Sequence, residues 1–163
     1  MQNSHQEKMK TNQGHAKPYT KLVIMAVLSF ISMYALMYSM VNSLSNVIPN
    51  VNQFYMAALM TMPMVIIEVT LMGSMYMNKK RNAAIIALSA VALIVFFLFI
   101  QRQTAVTDKQ FLKSMIPHHG AAILMSEQSA SKDPEIRKLQ QEIISSQREE
   151  IRIMKEKLKG LNK

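Results

Sequence analysis

Cysteine is absent from the 163-residue chain. Disulfides, thiolate zinc sites and iron–sulfur clusters are thereby excluded. Tryptophan is absent too, and glycine (4) and proline (5) are scarce. That scarcity argues against a β-sandwich, a β-barrel or a glycine-rich phosphate loop. Acidic residues are few: 10 Asp and Glu stand against 19 Lys and Arg, for a formal charge of +9. What remains is apolar. Half the residues are hydrophobic, and methionine (16) outnumbers leucine. The composition predicts an all-α protein, and a membrane one.

Three apolar runs organise the first hundred residues. Residues 22–41 hold no charge, residues 54–77 hold only Glu68, and residues 83–100 hold none. A hydrocarbon core of about 30 Å needs roughly 20 helical residues, so each run is long enough to span. None shows the polar face of a soluble core helix. The first starts too far into the chain, and lacks the small-residue cleavage pattern, to be a removable signal peptide. The expected organisation is a cytoplasmic tail over 1–21 and a membrane domain over 22–100, with spans 22–41, 54–77 and 83–100. A last segment follows over 107–160.

Charge in the connections sets the expected orientation. Lys8, Lys10, Lys17 and Lys21 precede the first run against Glu7 alone, and the loop 42–53 is uncharged. The next turn reads Asn78-Lys79-Lys80-Arg81-Asn82. Lys and Arg collect on the cytoplasmic side. The amino terminus and this turn are then inside, and three crossings place the carboxy-terminal segment outside; Arg102 alone dissents. The expected location is a bacterial inner (plasma) membrane. The basic excess is a topology signal, and no nucleic-acid partner is expected.

The outer segment patterns as an antiparallel helical hairpin. Thr107-Asp108-Lys109-Gln110 fits a capping box. Phe111, Met115, His118, Ala122 and Met125 then share one helical stripe, and Leu112, Ile116, His119 and Ile123 the adjacent one. Asp133-Pro134-Glu135 restarts a helix with a cap, a proline at its first position and an acid in its first turn. Ile136, Leu139, Ile143, Gln147, Ile151, Met154 and Leu158 continue it. Two helices of this size cannot enclose a satisfactory core. A homodimer is expected, two hairpins closing a four-helix bundle.

The chemistry concentrates in Met115-Ile116-Pro117-His118-His119. Pro117 inside a helix leaves the Lys113 carbonyl without its usual partner, a cost of about 3 kcal/mol. Met115 and His118 are one turn apart, Met125 lies two turns on, and Met154 can meet them from the second helix. Thioether sulfur with imidazole nitrogen suits Cu(I), and imidazole also accepts Cu(II). The same residues have a plainer reading: a hydrogen-bonded His pair, and methionines as pliable core hydrophobes. No H-E-x-x-H, Glu-x-x-His pair, nucleophile elbow or phosphate loop is present, and no enzyme activity is expected.

Asp108, Phe111-Leu112, Met115-Ile116-Pro117-His118-His119, Ala122, Ile123 and Met125 resemble the first helix of the domain-of-unknown-function 305 family. Ile143-Ile144, Gln147, Glu150-Ile151 and Met154 resemble its second. The resemblance covers about 107–160, with Ser126, Gln140 and Lys157-Leu158 departing from the family pattern. It implies a ferritin-like helical bundle outside the cytoplasm, of which this chain holds half, linked to copper binding and tolerance. His118, His119, Met115, Met125 and Met154 are the positions it carries over as candidate ligands.

The membrane part suggests a rival. Met56, Met60, Met64, Glu68, Met72 and Met75 recur along the second run, and Met33, Met37 and Met40 share a face of the first. The third run has no Met. A charge at membrane depth costs at least about 2.5 kcal/mol and faces protein or water, which makes Glu68 a functional candidate. His5, Met9 and His15 give a weaker metal signal in the tail. The function expected is copper sequestration, handover or tolerance, with a copper exporter or a periplasmic copper protein as partner. The alternatives are a transport component using the Met/Glu68 stripe, or a structural or regulatory membrane module.

Overall fold

The computed structural model describes residues 2–161, with side chains from residue 18 onward; the side chains of His5, Met9 and His15 lie outside the described residues. The elements are α1 (Gln2–Leu36), α2 (Val51–Leu71), α3 (Lys79–Gln101), α4 (Asp108–Gln128) and α5 (Pro134–Gly160). Two short 3-10 segments, Met37–Met40 and Leu44–Asn46, lie between α1 and α2. No strand occurs among the described residues. Pro18–Met40, Val51–Leu71 and Lys79–Gln101 are each long and apolar enough to cross a membrane. The chain divides into two compact units: residues 1–33 with 55–102, and residues 34–54 with 103–163.

In the first unit α2 is the central helix. A third (33%) of its apolar window is buried, against 6% for each of the other two. Ala57, Thr61, Val65 and Val69 recur every four residues and form its buried side, together with Tyr55 and Ala58. Small residues at such positions let helices approach closely where lipid supplies no hydrophobic drive. Leu22 of α1 packs with Val65, Val69 and Tyr76, and Ile85 and Ile86 of α3 close over them. Tyr55 meets Phe96 and Phe99 with ring centroids 6.2 and 5.4 Å away. Met56, Met60 and Met64 lie on the exposed side of α2. The expected methionine stripe is therefore an outer face of this unit.

The boundaries of α2 and α3 differ from those expected. Apolar residues continue to Met77, but α2 stops at Leu71, and Met72 and Met75 sit in the turn beyond it. Gly73 and Ser74 favour turning there, and the turn closes with Met75 N–H donating to the Met72 carbonyl at 2.9 Å. Glu68 is thus one turn from a helix end and does not sit mid-span on a continuous stripe. Its carboxylate accepts from the Tyr76 hydroxyl at 3.3 Å. Asn82 Nδ2 donates to the Tyr76 carbonyl at 2.7 Å, and the Tyr19 hydroxyl donates to Asn82 Oδ1 at 2.7 Å. α3 starts at Lys79, four residues before the apolar run, because Asn78 caps it: Oδ1 accepts from Arg81 N–H at 3.0 Å.

The second unit is built on α4 and α5, whose caps lie at Thr107 and Asp133. Asp133 Oδ1 accepts from Glu135 and Ile136 N–H at 2.8 and 3.2 Å. The two helices pack against each other, with Gln140 donating to the Ser129 carbonyl near the turn and Leu112 and Leu158 joining the same core. Arg148 and Glu127 bridge them at 2.6 Å. The core is Ile116, Ile123, Ile151 and Met154, with Ile48, Leu112, Met115 and Leu158 around it.

Ile48 belongs to the uncharged segment between α1 and α2, which supplies a third layer of this unit. Its amides are stitched to α4. Asn42 N–H donates to the Gly120 carbonyl at 3.3 Å, and Val51 N–H donates to Gln110 Oε1 at 3.2 Å. The Ser114 hydroxyl donates to Asn50 Oδ1 at 3.2 Å. Gly120 permits the approach. A Cβ there would sit 2.9 Å from Asn42 Oδ1 and 3.1 Å from Val41 Cγ1. The layer that two helices alone lack thus comes partly from the chain's own loop.

Candidate metal centre

α4 runs through Pro117 as an α-helix, and Ile116, Pro117, His119, Gly120 and Ile123 are its buried residues. Two adjacent stripes of α4 are apolar in sequence, and the Ile116–His119–Ile123 stripe is the one that packs. Gly120 beside it makes room for the Val41–Asn46 segment. The neighbouring stripe is open at Phe111 and Met125, exposed by 51% and 52%, while Met115 between them packs against the core. The two histidines therefore have different surroundings, His119 turned in and His118 turned out.

His119 is held at both ring nitrogens. Nδ1 lies 3.0 Å from the Met115 carbonyl, and Nε2 lies 2.9 Å from Glu150 Oε2. The Ser146 hydroxyl donates to the other Glu150 oxygen at 2.9 Å. A carbonyl can only accept, so the Met115 contact requires the proton on Nδ1. In the neutral ring, Nε2 then presents its lone pair toward Glu150. A second proton, or a cation, lets both contacts be favourable at once. Burial pushes the His119 imidazole below its ordinary range; Glu150 pulls it up, and His118 adds a smaller push down. The His118 and His119 ring centroids are 6.0 Å apart and nearly perpendicular.

The five candidate ligands are dispersed. Met154 is buried in the core with Ile116, Ile123 and Ile151, and Met115 packs against that cluster. Met125 is exposed, and His118 is exposed beside His119. Among the described residues, no three His, Asp or Glu side chains converge on one point. The structure brings His119 together with Glu150, which sequence reasoning missed. Glu150 stands in the segment that carries the family resemblance, yet α5 is so rich in solvated charge that one carboxylate does not stand out.

The Nδ1–H contact with the Met115 carbonyl fixes the tautomer and turns Nε2 toward Glu150. What the structure places together here is one imidazole and one carboxylate, with the Met115 side chain packed against the apolar core.

Fold and site together define an all-helical protein with three membrane-length apolar helices and a packed helical pair carrying a His–Glu contact. The chain belongs to the family described as domain of unknown function (DUF305), whose model matches residues 68–158. That match begins inside α2 and takes in α3 as well as the α4–α5 pair. A relative from Acanthamoeba polyphaga mimivirus, "Uncharacterized protein L153", is 36% identical over 136 residues, covering 82% of this chain and 88% of its own. No solved structure matches the chain.

Proposed function

We propose that the protein binds copper outside the cytoplasm, as a membrane-anchored sequestration, handover or tolerance protein and not as an enzyme. The observation that carries this reading is His119: its ring is fixed by the Met115 carbonyl at Nδ1 and offers Nε2 beside Glu150. His118, adjacent in sequence, is the second imidazole, and Met115, one turn before His118 on its stripe, is the thioether nearest to join them. Met154 is committed to the core and Met125 lies apart, so they are weaker candidates. The set holds too few donors to close a coordination sphere. A second copy supplies the missing ones while completing a ferritin-like four-helix bundle, which makes a homodimer part of this reading. A copper exporter or a periplasmic copper protein is the partner such a site would serve.

The orientation belongs to the same proposal: amino terminus and Lys79–Arg81 turn in the cytoplasm, helical pair outside, in a bacterial inner (plasma) membrane. It is supported by the charge of the connections, the Lys79–Arg81 turn being basic and the 42–53 loop uncharged. A conduit along α2 draws less support. Its methionines face outward and Glu68 is tied to Tyr76, so Glu68→Gln is expected to leave copper binding unchanged. The test is titration of the full chain in detergent with Cu(I) and Zn(II), beside the His118→Ala/His119→Ala variant. Tighter Cu(I) than Zn(II) binding, lost in the double variant, supports the proposal. Equal copper retention in both proteins overturns it.

A further inference from the structure

The amphipathic end of the three-helix unit carries a site that copper binding does not use. A cavity of about 640 Å³ opens there, lined by Tyr19, Met75, Met77, Asn78, Lys79, Lys80 and Arg81. Pockets that hold small ligands fall in the range of about 300–1,000 Å³. Three consecutive cations line one side. Among the described residues, no acidic side chain forms an ion pair with any of them. Glu68, the sole acidic residue between positions 18 and 102, is engaged by Tyr76. Among the described residues nothing acidic offsets the three positive charges around this cavity.

The wall is built and not merely charged. Arg81 lies over the Tyr19 ring, 5.9 Å from its centroid, which braces both side chains. Tyr19 is itself fixed by its hydrogen bond to Asn82 and its ring contact with Tyr76 at 5.3 Å. Asn78 caps α3, so the helix begins at the cavity, and its first-turn N–H groups favour an anion nearby. The remaining lining is apolar and open: Met75 and Met77 are exposed, Met77 by 73%. A free inorganic phosphate has no use for exposed methionines. A phospholipid, with an anionic head and acyl chains, uses both halves.

We infer that this cavity binds the headgroup of an anionic phospholipid, with Lys79, Lys80 and Arg81 on the phosphate and Met75 and Met77 along the chains. Basic pockets between membrane helices bind anionic headgroups by the same chemistry. The inference rests on the membrane reading of the three helices and not on the copper site. The His118→Ala/His119→Ala variant therefore retains lipid binding whatever becomes of the copper proposal.

The test uses the full chain in neutral detergent, titrated with phosphatidylglycerol or phosphatidylcholine, bound lipid being counted by native mass spectrometry. Phosphatidylglycerol is expected to bind in preference. Lys79→Gln/Lys80→Gln is expected to weaken it about 25-fold, at about fivefold per charge near a headgroup. Arg81→Lys keeps the charge, and with it the topology signal, yet loses the planar contact with Tyr19; a smaller loss of the preference is expected. Lys109→Gln/Lys113→Gln, the same charge change on α4, is expected to have no effect. Equal binding of the two lipids overturns the inference. So does a preference that survives Lys79→Gln/Lys80→Gln, or inorganic phosphate at millimolar concentration displacing the lipid completely.

Discussion

Ile116→Ala tests which face of α4 is structural. Ile116 is fully buried (0% exposed) and shares its cluster with Ile123, Ile151 and Met154. Truncating a buried Ile to Ala costs about 2–5 kcal/mol, more where the surroundings cannot collapse. Here α4, α5 and the stitched loop enclose the site on three sides, so about 3 kcal/mol is the expected cost. Met125→Ala, on the open stripe, is expected to cost no more than about 0.5 kcal/mol. Unfolding of the whole chain is unsuitable as a readout, because the apolar helices do not unfold with the pair. Amide hydrogen exchange followed by mass spectrometry isolates the α4 and α5 peptides. At about 1.4 kcal/mol per tenfold, Ile116→Ala is expected to lower their protection about a hundredfold and Met125→Ala at most about twofold. Equal losses from the two variants would refute the assignment of the buried stripe, and with it the placement of His119 inside.

Other outcomes follow from single features. His119, pushed down by burial, binds its proton less readily folded than unfolded, where its value is about 6.5. The unfolded state then binds more protons, and the α4–α5 unit loses stability as pH falls below about 6.5. Glu150→Gln removes the group that pulls His119 upward and is expected to steepen the loss, whereas His119→Phe flattens it; protease resistance of the pair against pH reads all three, and a gain of stability on acidification contradicts the direction. Ala105 adopts a left-handed φ of 59° between α3 and α4. Ala105→Gly is expected to relieve about 1 kcal/mol of strain, read as higher hydrogen-exchange protection at the start of α4, and unchanged or lower protection there counts against it. For orientation, Ala130→Cys in intact cells is expected to react with a membrane-impermeant thiol reagent and Met77→Cys to be protected; the reverse pattern inverts the topology.

Much of the architecture is legible because local chemistry writes it. Thr107 and Asp133 are caps in sequence and caps in the structure, and the three apolar runs become the three membrane-length helices. The end of α2 is less legible: apolar side chains continue past Leu71, and Gly73-Ser74 is a faint signal against that background. The choice between the two α4 stripes is not local at all. Both have helical spacing, and the decision lies in Gly120 admitting Asn42, a contact between residues far apart in the chain. The uncharged 42–53 loop betrays its role for the same reason only in three dimensions. Its asparagines read as loop composition until Ser114 and the Gly120 carbonyl are seen to engage them. The candidate site was legible as a pair of histidines, and its carboxylate partner was not.

The most direct measurement is X-ray absorption spectroscopy of the copper-loaded full chain, compared with its His119→Ala variant. The account predicts imidazole scattering in the first shell of the loaded protein, strongly reduced in the variant. A shell made of sulfur alone, or one identical in the two proteins, would contradict the assignment of His119 as the anchoring ligand.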